Sequence, residues 1–164
     1  MARYDGSMPI KAKTIGLISD THGLLRKEAV AALRGSELII HAGDVGKQEI
    51  LEEMERIAPV VAVRGNVDTA PWAAALPETA AAEAHGALIY VLHDLNALDL
   101  NPAASGFRIV VSGHSHNPSK TERDGVLYIN PGSAGPRRFL LPVTVARLNL
   151  SKRPFKLEFI ELEI

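Results

Sequence analysis

The chain predicts an α/β protein built differently in its two halves, and two observations carry that reading. From Thr14 to Val63, three short apolar runs alternate with two segments of helical spacing. That strand–helix–strand–helix–strand order gives parallel strands joined by right-handed crossovers. From Pro71 onward, apolar runs mostly follow one another across turns, which is the grammar of hairpins. At 164 residues there is one domain's worth of chain, enough to bury a full core. We therefore expect a flexible polar tail, 1–12, and a single domain, 13–164.

Thr14 to Ile18 reads as a strand buried on both faces, giving way to Ser19, Asp20, Thr21 and His22. Leu24 to Leu33 has helical spacing and stops at Gly35, with Asp20 and Thr21 placed to cap its start. A second strand, Glu37 to His41, breaks into Ala42-Gly43-Asp44. A helix follows from Lys47 to about Arg56, with Ile50, Leu51, Met54 and Ile57 along one side. The third strand, Pro59 to Val63, runs into Arg64-Gly65-Asn66-Val67-Asp68.

Past an irregular stretch around Trp72, Glu78 to Ala84 and Ala87 to Leu92 pair across His85-Gly86, and the second ends in His93-Asp94. A loose stretch, 95–105, leads to a buried strand from Phe107 to Ser112, which ends in Gly113-His114-Ser115-His116. Lys120 to Arg123 and Val126 to Asn130 form a hairpin across Asp124-Gly125, closed by Asn130-Pro131-Gly132-Ser133. Val143 to Leu150 and Phe155 to Ile164 complete the chain as antiparallel strands. In the last strand the apolar residues shift from odd positions (Phe155, Leu157, Phe159) to even ones (Ile160, Leu162, Ile164). That shift requires a bulge near Phe159-Ile160, or a partner subunit over the strand tip, and so raises the expectation of a homodimer.

Composition excludes several classes. The net charge is −1 with no basic block, and aromatics make up only 5%, so neither a nucleic-acid polyanion nor a base-stacking platform is expected. With no cysteine, thiol nucleophiles and thiolate metal sites are out, leaving oxygen and nitrogen ligands. No run approaches the roughly 18 apolar residues of a membrane span, and the first residues do not form a signal peptide, so the cytoplasm is the expected compartment. No Gly-x-Ser-x-Gly elbow is present, and Asn117-Pro118 after His116 excludes a metallo-β-lactamase motif.

Chemistry gathers instead at five strand ends: Asp20 with His22, Asp44, Asn66, His93, and His114 with His116. Two carboxylates, an amide oxygen and four imidazoles exceed what one tetrahedral zinc with an open position needs. They suit two divalent ions sharing a carboxylate, the arrangement that clamps both oxygens of an in-line displacement at phosphorus. Gly43, Gly65 and Gly113 stand where the chain must bend sharply and a phosphate could approach closely.

This ordered set of Asp-x-His, Gly-Asp, Gly-Asn-x-Asp, a lone His and Gly-His-x-His resembles the motifs of the calcineurin-like metallophosphoesterases. With Asn130-Pro131-Gly132-Ser133 it is similar to their small bacterial and archaeal phosphodiesterase branch, which also includes the retromer subunit Vps29. The resemblance runs from about Ile15 to Phe139 and implies two packed mixed β-sheets flanked by helices, a four-layer sandwich. It further implies that Asp20, His22 and His116 hold one ion, that Asn66, His93 and His114 hold the other, and that Asp44 bridges them. A hydroxide between the ions would be the nucleophile. Asp68 and His41 would orient ligands from behind. The hard and borderline donors make Mn2+ the first choice of metal, with Fe, Ni or Zn next.

Two positions depart from the family pattern. Val67 stands where many phosphomonoesterases have a histidine, which favours a phosphodiesterase over a phosphomonoesterase. Asp94 replaces a glycine beside His93, where it would tune that ligand or repel an anionic substrate. Arg137 and Arg138 read as solvated loop cations, while Trp72 and 94–105 are candidates to line the cleft. A protein-binding scaffold with a vestigial site, as in Vps29, is the rival reading; the retention of every motif weighs against it.

Overall fold

The structure, a computed structural model, describes residues 11–164. The expected tail therefore lies outside the described residues up to position 10, and Ala12 is already buried between the sheets. Two five-stranded sheets make up the fold. The first has the order β10-β9-β1-β2-β3: β1 (Thr14–Ile18), β2 (Leu38–His41) and β3 (Val60–Ala62) run parallel, and β9 (Thr144–Asn149) and β10 (Lys156–Glu161) are antiparallel. In the second, β5 (Ala87–Leu92), β6 (Ile109–Val111) and β8 (Val126–Asn130) are parallel. Its edges are β4 (Thr79–Ala84) and β7 (Ser119–Arg123), each the antiparallel arm of a hairpin.

Three apolar layers hold these sheets. Between them lies the largest cluster, with Ile15, Leu17, Leu38 and Ile40 facing Ile89, Val91, Ile109 and Ile129. α1 (Lys27–Leu33) and α2 (Gln48–Glu55) cover the outer face of the first sheet through Ala29, Leu33, Ile50, Leu51 and Met54. Over the second sheet the outer layer is not an α-helix. Leu95, Leu98, Leu100 and Phe107, from a short 3-10 turn and loop, cover Tyr90, Leu92 and Val110. Trp72 packs with the helix-side cluster, and the cavity beside His93 and His114 is lined by other residues.

Two local expectations are corrected. The first helix starts at Lys27, not Leu24, and Arg26 occupies its N-cap position without a side-chain cap, so Asp20 caps nothing. The last strand has no bulge: Lys156 to Glu161 pair one-to-one with Asn149 to Thr144. The shift in apolar phase arises because the two faces of β10 find different cover within this chain. Phe155 and Leu157 pack toward the inter-sheet core, whereas Ile160 and Leu162 pack on the helix side. The phase shift therefore no longer argues for a partner.

If this is the reason for the shift, Leu162→Ala should cost about 2–4 kcal/mol in urea unfolding, the usual loss for a buried leucine. Phe159→Ser, on the half-open part of the same strand, should cost under about 1 kcal/mol. Equal costs would contradict this account of the strand.

Candidate metal centre

All five ligand-bearing strand ends meet along one edge where the two sheets come together. Asp20 and His22 follow β1, Asp44 follows β2, Asn66 follows β3, His93 follows β5, and His114 and His116 follow β6. Carbonyl and amide groups lock the turns to one another. Asp20 N–H donates to Gly43 O (3.0 Å), His22 N–H to Asp44 O (2.9 Å), and Gly113 N–H to His93 O (2.9 Å).

The side chains fall into two groups, Asp20–His22–His116 and Asp44–His93–His114, in each of which one ligand atom per residue lies within 4.8 Å of the others. Asp44 belongs between them: its Oδ2 is 3.6 Å from His22 Nε2 and 3.1 Å from His93 Nε2. The Asn66 amide closes the second group, 3.1 Å from His93 Nε2 and 3.2 and 3.3 Å from the Asp44 oxygens. As oriented, its oxygen faces these acceptors, whereas the flipped amide would donate to them.

Three features fit divalent cations. Asp20 Oδ1 is buried and accepts no hydrogen bond among the described residues, yet imidazole Nε2 atoms stand 3.3, 3.8 and 3.9 Å away, on His116, His22 and His93. His22 and His116 present their Nε2 atoms to each other at 3.3 Å. A buried carboxylate oxygen ringed by imidazole nitrogens, with an amide beside them, is a donor set that suits a divalent cation. Finally, His93 Nδ1 contacts the Ala42 carbonyl at 2.8 Å. Donation there leaves the Nε2 lone pair aimed inward, the tautomer a metal ligand needs.

The surrounding groups set the charge state. Burial pushes both Asp20 and Asp44 up. Histidine partners and other donors outweigh it, Ser19 at Asp20 and the Val67 amide at Asp44, and hold both carboxyls below their usual range. His22 is raised, chiefly by Asp20. His93 is raised too, because Asp44 and the Ala42 carbonyl overcome the effect of its burial. Burial keeps His116 low.

The backbone is held in rare conformations to do this. Asp20, His22, Asp44, His114 and His116 have φ of +55°, +47°, +56°, +71° and +62°. Such left-handed positions are costly for residues other than glycine and concentrate at functional sites. Gly65 and Gly113 serve a purpose other than a sharp bend. A Cβ at Gly65 would strike Asp44, and one at Gly113 would strike Ser19 and Asp20. They admit the carboxylates and take no positive φ.

Asp68 lies behind the ligands. Its carboxylate accepts from Val45 N–H (3.1 Å), Gly46 N–H (2.9 Å) and Gly65 N–H (2.9 Å), tying the Asp44 turn to the Asn66 turn. His41 is fully buried and accepts from Gly43 N–H at Nδ1, so its Nε2 carries the proton toward Thr21 Oγ1 at 3.0 Å. Asp94 lies beside His114 rather than His93, at 3.9 Å, and its other role is to cap the 3-10 turn through Asn96 N–H. With Ala97 and Asp99 it also lines a cavity of about 330 Å³ that opens on His93, Asn66 and His114. His85 occupies the β4–β5 turn, away from the cluster.

Sequence reasoning missed two side chains that fix the ligand turns. Asn130 Nδ2 donates to Gly113 O (2.9 Å) and Ser115 Oγ (3.0 Å), and Ser133 Oγ donates to Asp20 O (3.0 Å). The Asn130-Pro131-Gly132-Ser133 turn was their signal.

Residues 14–153 match the model of the calcineurin-like phosphoesterase superfamily domain. A probable metallophosphoesterase from Methanothermobacter thermautotrophicus is 33% identical, over 84% of this chain and 87% of its own. Among solved structures, an archaeal phosphodiesterase superposes with a TM-score of 0.75 at 23% identity, covering 90% of this chain and 99% of its own. Vacuolar Protein Sorting 29 from Cryptosporidium parvum superposes at 0.73 with 19% identity, covering 93% and 99%. At those identities, both show the fold alone.

His41 offers a test of the framework. Burial lowers its pKa to about 4, so the folded protein resists a proton that the unfolded chain takes up below 6.5. The stability it contributes is present above pH 6.5 and is lost as pH falls toward 4. With metal chelated, wild type should lose about 2 kcal/mol more than His41→Gln between pH 7.5 and pH 5 in urea titrations.

Proposed function

The chain belongs to the calcineurin-like phosphoesterase superfamily, and from that premise we propose that it is a binuclear metal-dependent phosphodiesterase. The observation that carries this reading is the convergence of Asp20, His22 and His116 with Asp44, Asn66, His93 and His114, with the Asp44 carboxylate between the two sets. Asp20, His22 and His116 would hold one ion, Asn66, His93 and His114 the other, and Asp44 both. Divalent ions there, Mn2+ first among them, would supply Lewis-acid activation of the phosphoryl group and a water of lowered pKa.

The chain's own residues hold and orient. Asp68 and His41 fix the turns that carry Asp44, and Ser19 Oγ and the His114 N–H occupy one oxygen of Asp20, leaving the other aimed inward. Val67 supports diesters. Its N–H donates to Asp44 Oδ1 (3.0 Å), and its side chain is 45% exposed with no proton to give a departing oxygen.

With Mn2+, the protein should hydrolyse bis(p-nitrophenyl) phosphate faster than p-nitrophenyl phosphate, and Asp44→Ala should fall to background while staying folded. No turnover of either ester with any divalent metal would leave a protein-binding scaffold, as in the Vps29-like reading. A histidine at Val67 should supply the missing proton: Val67→His should raise phenyl phosphate hydrolysis by about tenfold or more, within the range of general acid catalysis. An unchanged rate would mean that the leaving oxygen is served elsewhere.

A further inference from the structure

The cavity of about 330 Å³ shares a wall with the candidate centre, formed by Asn66, His93 and His114. Its volume falls at the lower end of the range for small-molecule sites. A phosphoester seated at the Asn66–His93–His114 group therefore has room beside it for one of its substituents. The rest of the lining is supplied by the turn after β3, the approach to β4 and the stretch that follows β5, so the two sheets build the cavity together.

Arg64, Glu78, Asp94 and Asp99 line this space, and their pairing decides its charge. Arg64 Nη2 donates to Glu78 Oε1 at 3.1 Å, so the arginine is already answered by one of the acids. Asp94 and Asp99 remain. Asp94 gives Oδ1 to Asn96 N–H (3.0 Å), while its Oδ2 stands 3.9 Å from His114 Nε2. Asp99 is exposed. Among the described residues, neither carboxylate has a lysine or arginine in ion-pair contact. Leu92 and Ala97 add apolar surface, but no Phe, Tyr or Trp side chain lines the cavity.

We propose that this cavity takes a primary ammonium carried by one substituent of the substrate, an amino-alcohol ester, with Asp99 and Asp94 as its acceptors. The proposal rests on the phosphodiesterase reading of the centre and adds the charge of the group that enters beside it. An ammonium supplies the countercharge that the two carboxylates lack, and its N–H groups can donate to both. A quaternary ammonium has no N–H to give and finds no aromatic face here. A carboxylate substituent meets two like charges, and the arginine that could answer it is engaged by Glu78.

Phosphate monoesters test the cavity by binding, apart from turnover. In calorimetry on the metal-loaded chain, aminoethyl phosphate should bind about tenfold more tightly than ethyl phosphate, the worth of a charge-assisted hydrogen bond open to solvent. Phosphorylcholine should gain less than aminoethyl phosphate, and phosphoglycolate should bind more weakly than ethyl phosphate. Added salt should shrink the ammonium preference. Asp99→Asn should cut that preference, and Asp99→Lys should place phosphoglycolate ahead of aminoethyl phosphate. Metal affinity, titrated in the same variants, reports on the centre separately. In turnover, aminoethyl p-nitrophenyl phosphate should show the same advantage in KM over ethyl p-nitrophenyl phosphate. Equal affinities for the aminoethyl and ethyl monoesters, no binding of either, or phosphorylcholine matching aminoethyl phosphate would overturn the proposal. So would tighter binding of phosphoglycolate to wild type, or an ammonium preference that survives Asp99→Lys. No turnover of either diester, with the ammonium preference intact, would sink the phosphodiesterase reading alone.

Discussion

Two carboxylates buried among four imidazoles are the constraint from which the rest of the structure follows. Asp20 and Asp44 have almost no contact with water, and an ionised carboxyl without partners is among the costliest groups to bury. The chain meets half of each group's demand. Ser19 Oγ and His114 N–H take one oxygen of Asp20, and Val67 N–H takes one oxygen of Asp44. The remaining oxygens, Asp20 Oδ1 and Asp44 Oδ2, are the ones the Nε2 atoms surround. A framework that satisfies one oxygen and rings the other with imidazole nitrogens is suited to positive charge at its centre.

That arrangement ties the site to the packing of the whole domain. Asp20, Asp44 and Asn66 come from the first sheet, and His93, His114 and His116 from the second. Each ligand group draws on both sheets, so its closure is set by the apolar layer where Leu17 and Ile40 meet Val91 and Ile129. Backbone bonds then transfer the setting to the ligands: Gly113 N–H to His93 O within the second sheet, and Asp20 N–H to Gly43 O within the first. Cross-links such as Ser133 Oγ to Asp20 O join the two halves. A large-to-small change in the inter-sheet core thus bears on the donor geometry as well as on stability.

Most of the strands and all seven candidate ligands were legible because both rest on local patterns. Apolar runs ending in Asp, Asn or His announce strands with polar tips, and the Asp124-Gly125 turn fixes its hairpin. What escaped depended on the third dimension. Nothing in the order of Phe159 and Ile160 says that the two faces of β10 find cover at different places, so a bulge was expected where none forms. Asp94 adjoins His93 in sequence, but its carboxylate lies near His114, because the chain turns between the two residues. Gly65 and Gly113 looked like bends, yet their purpose is the space a carboxylate occupies next to them. The Asn130-Pro131-Gly132-Ser133 turn marked Asn130 and Ser133, but not their partners, which lie 15 to 113 residues away in sequence.

The left-handed backbones explain why such a site tolerates so little change. Five of the seven candidate ligands occupy that region, each at a cost on the order of 1–3 kcal/mol. Asp68, with three backbone donors, and Asn130, with three hydrogen bonds, are what hold the turns there. The strain and its restraints are matched: loosening a restraint lets a turn relax, and a relaxed turn swings its ligand away. A cation held at the centre would add to the same balance, since a ligand that binds only the folded arrangement stabilises it by mass action. Metal and framework would then support one another, with the turns most sensitive to mutation when the metal is absent.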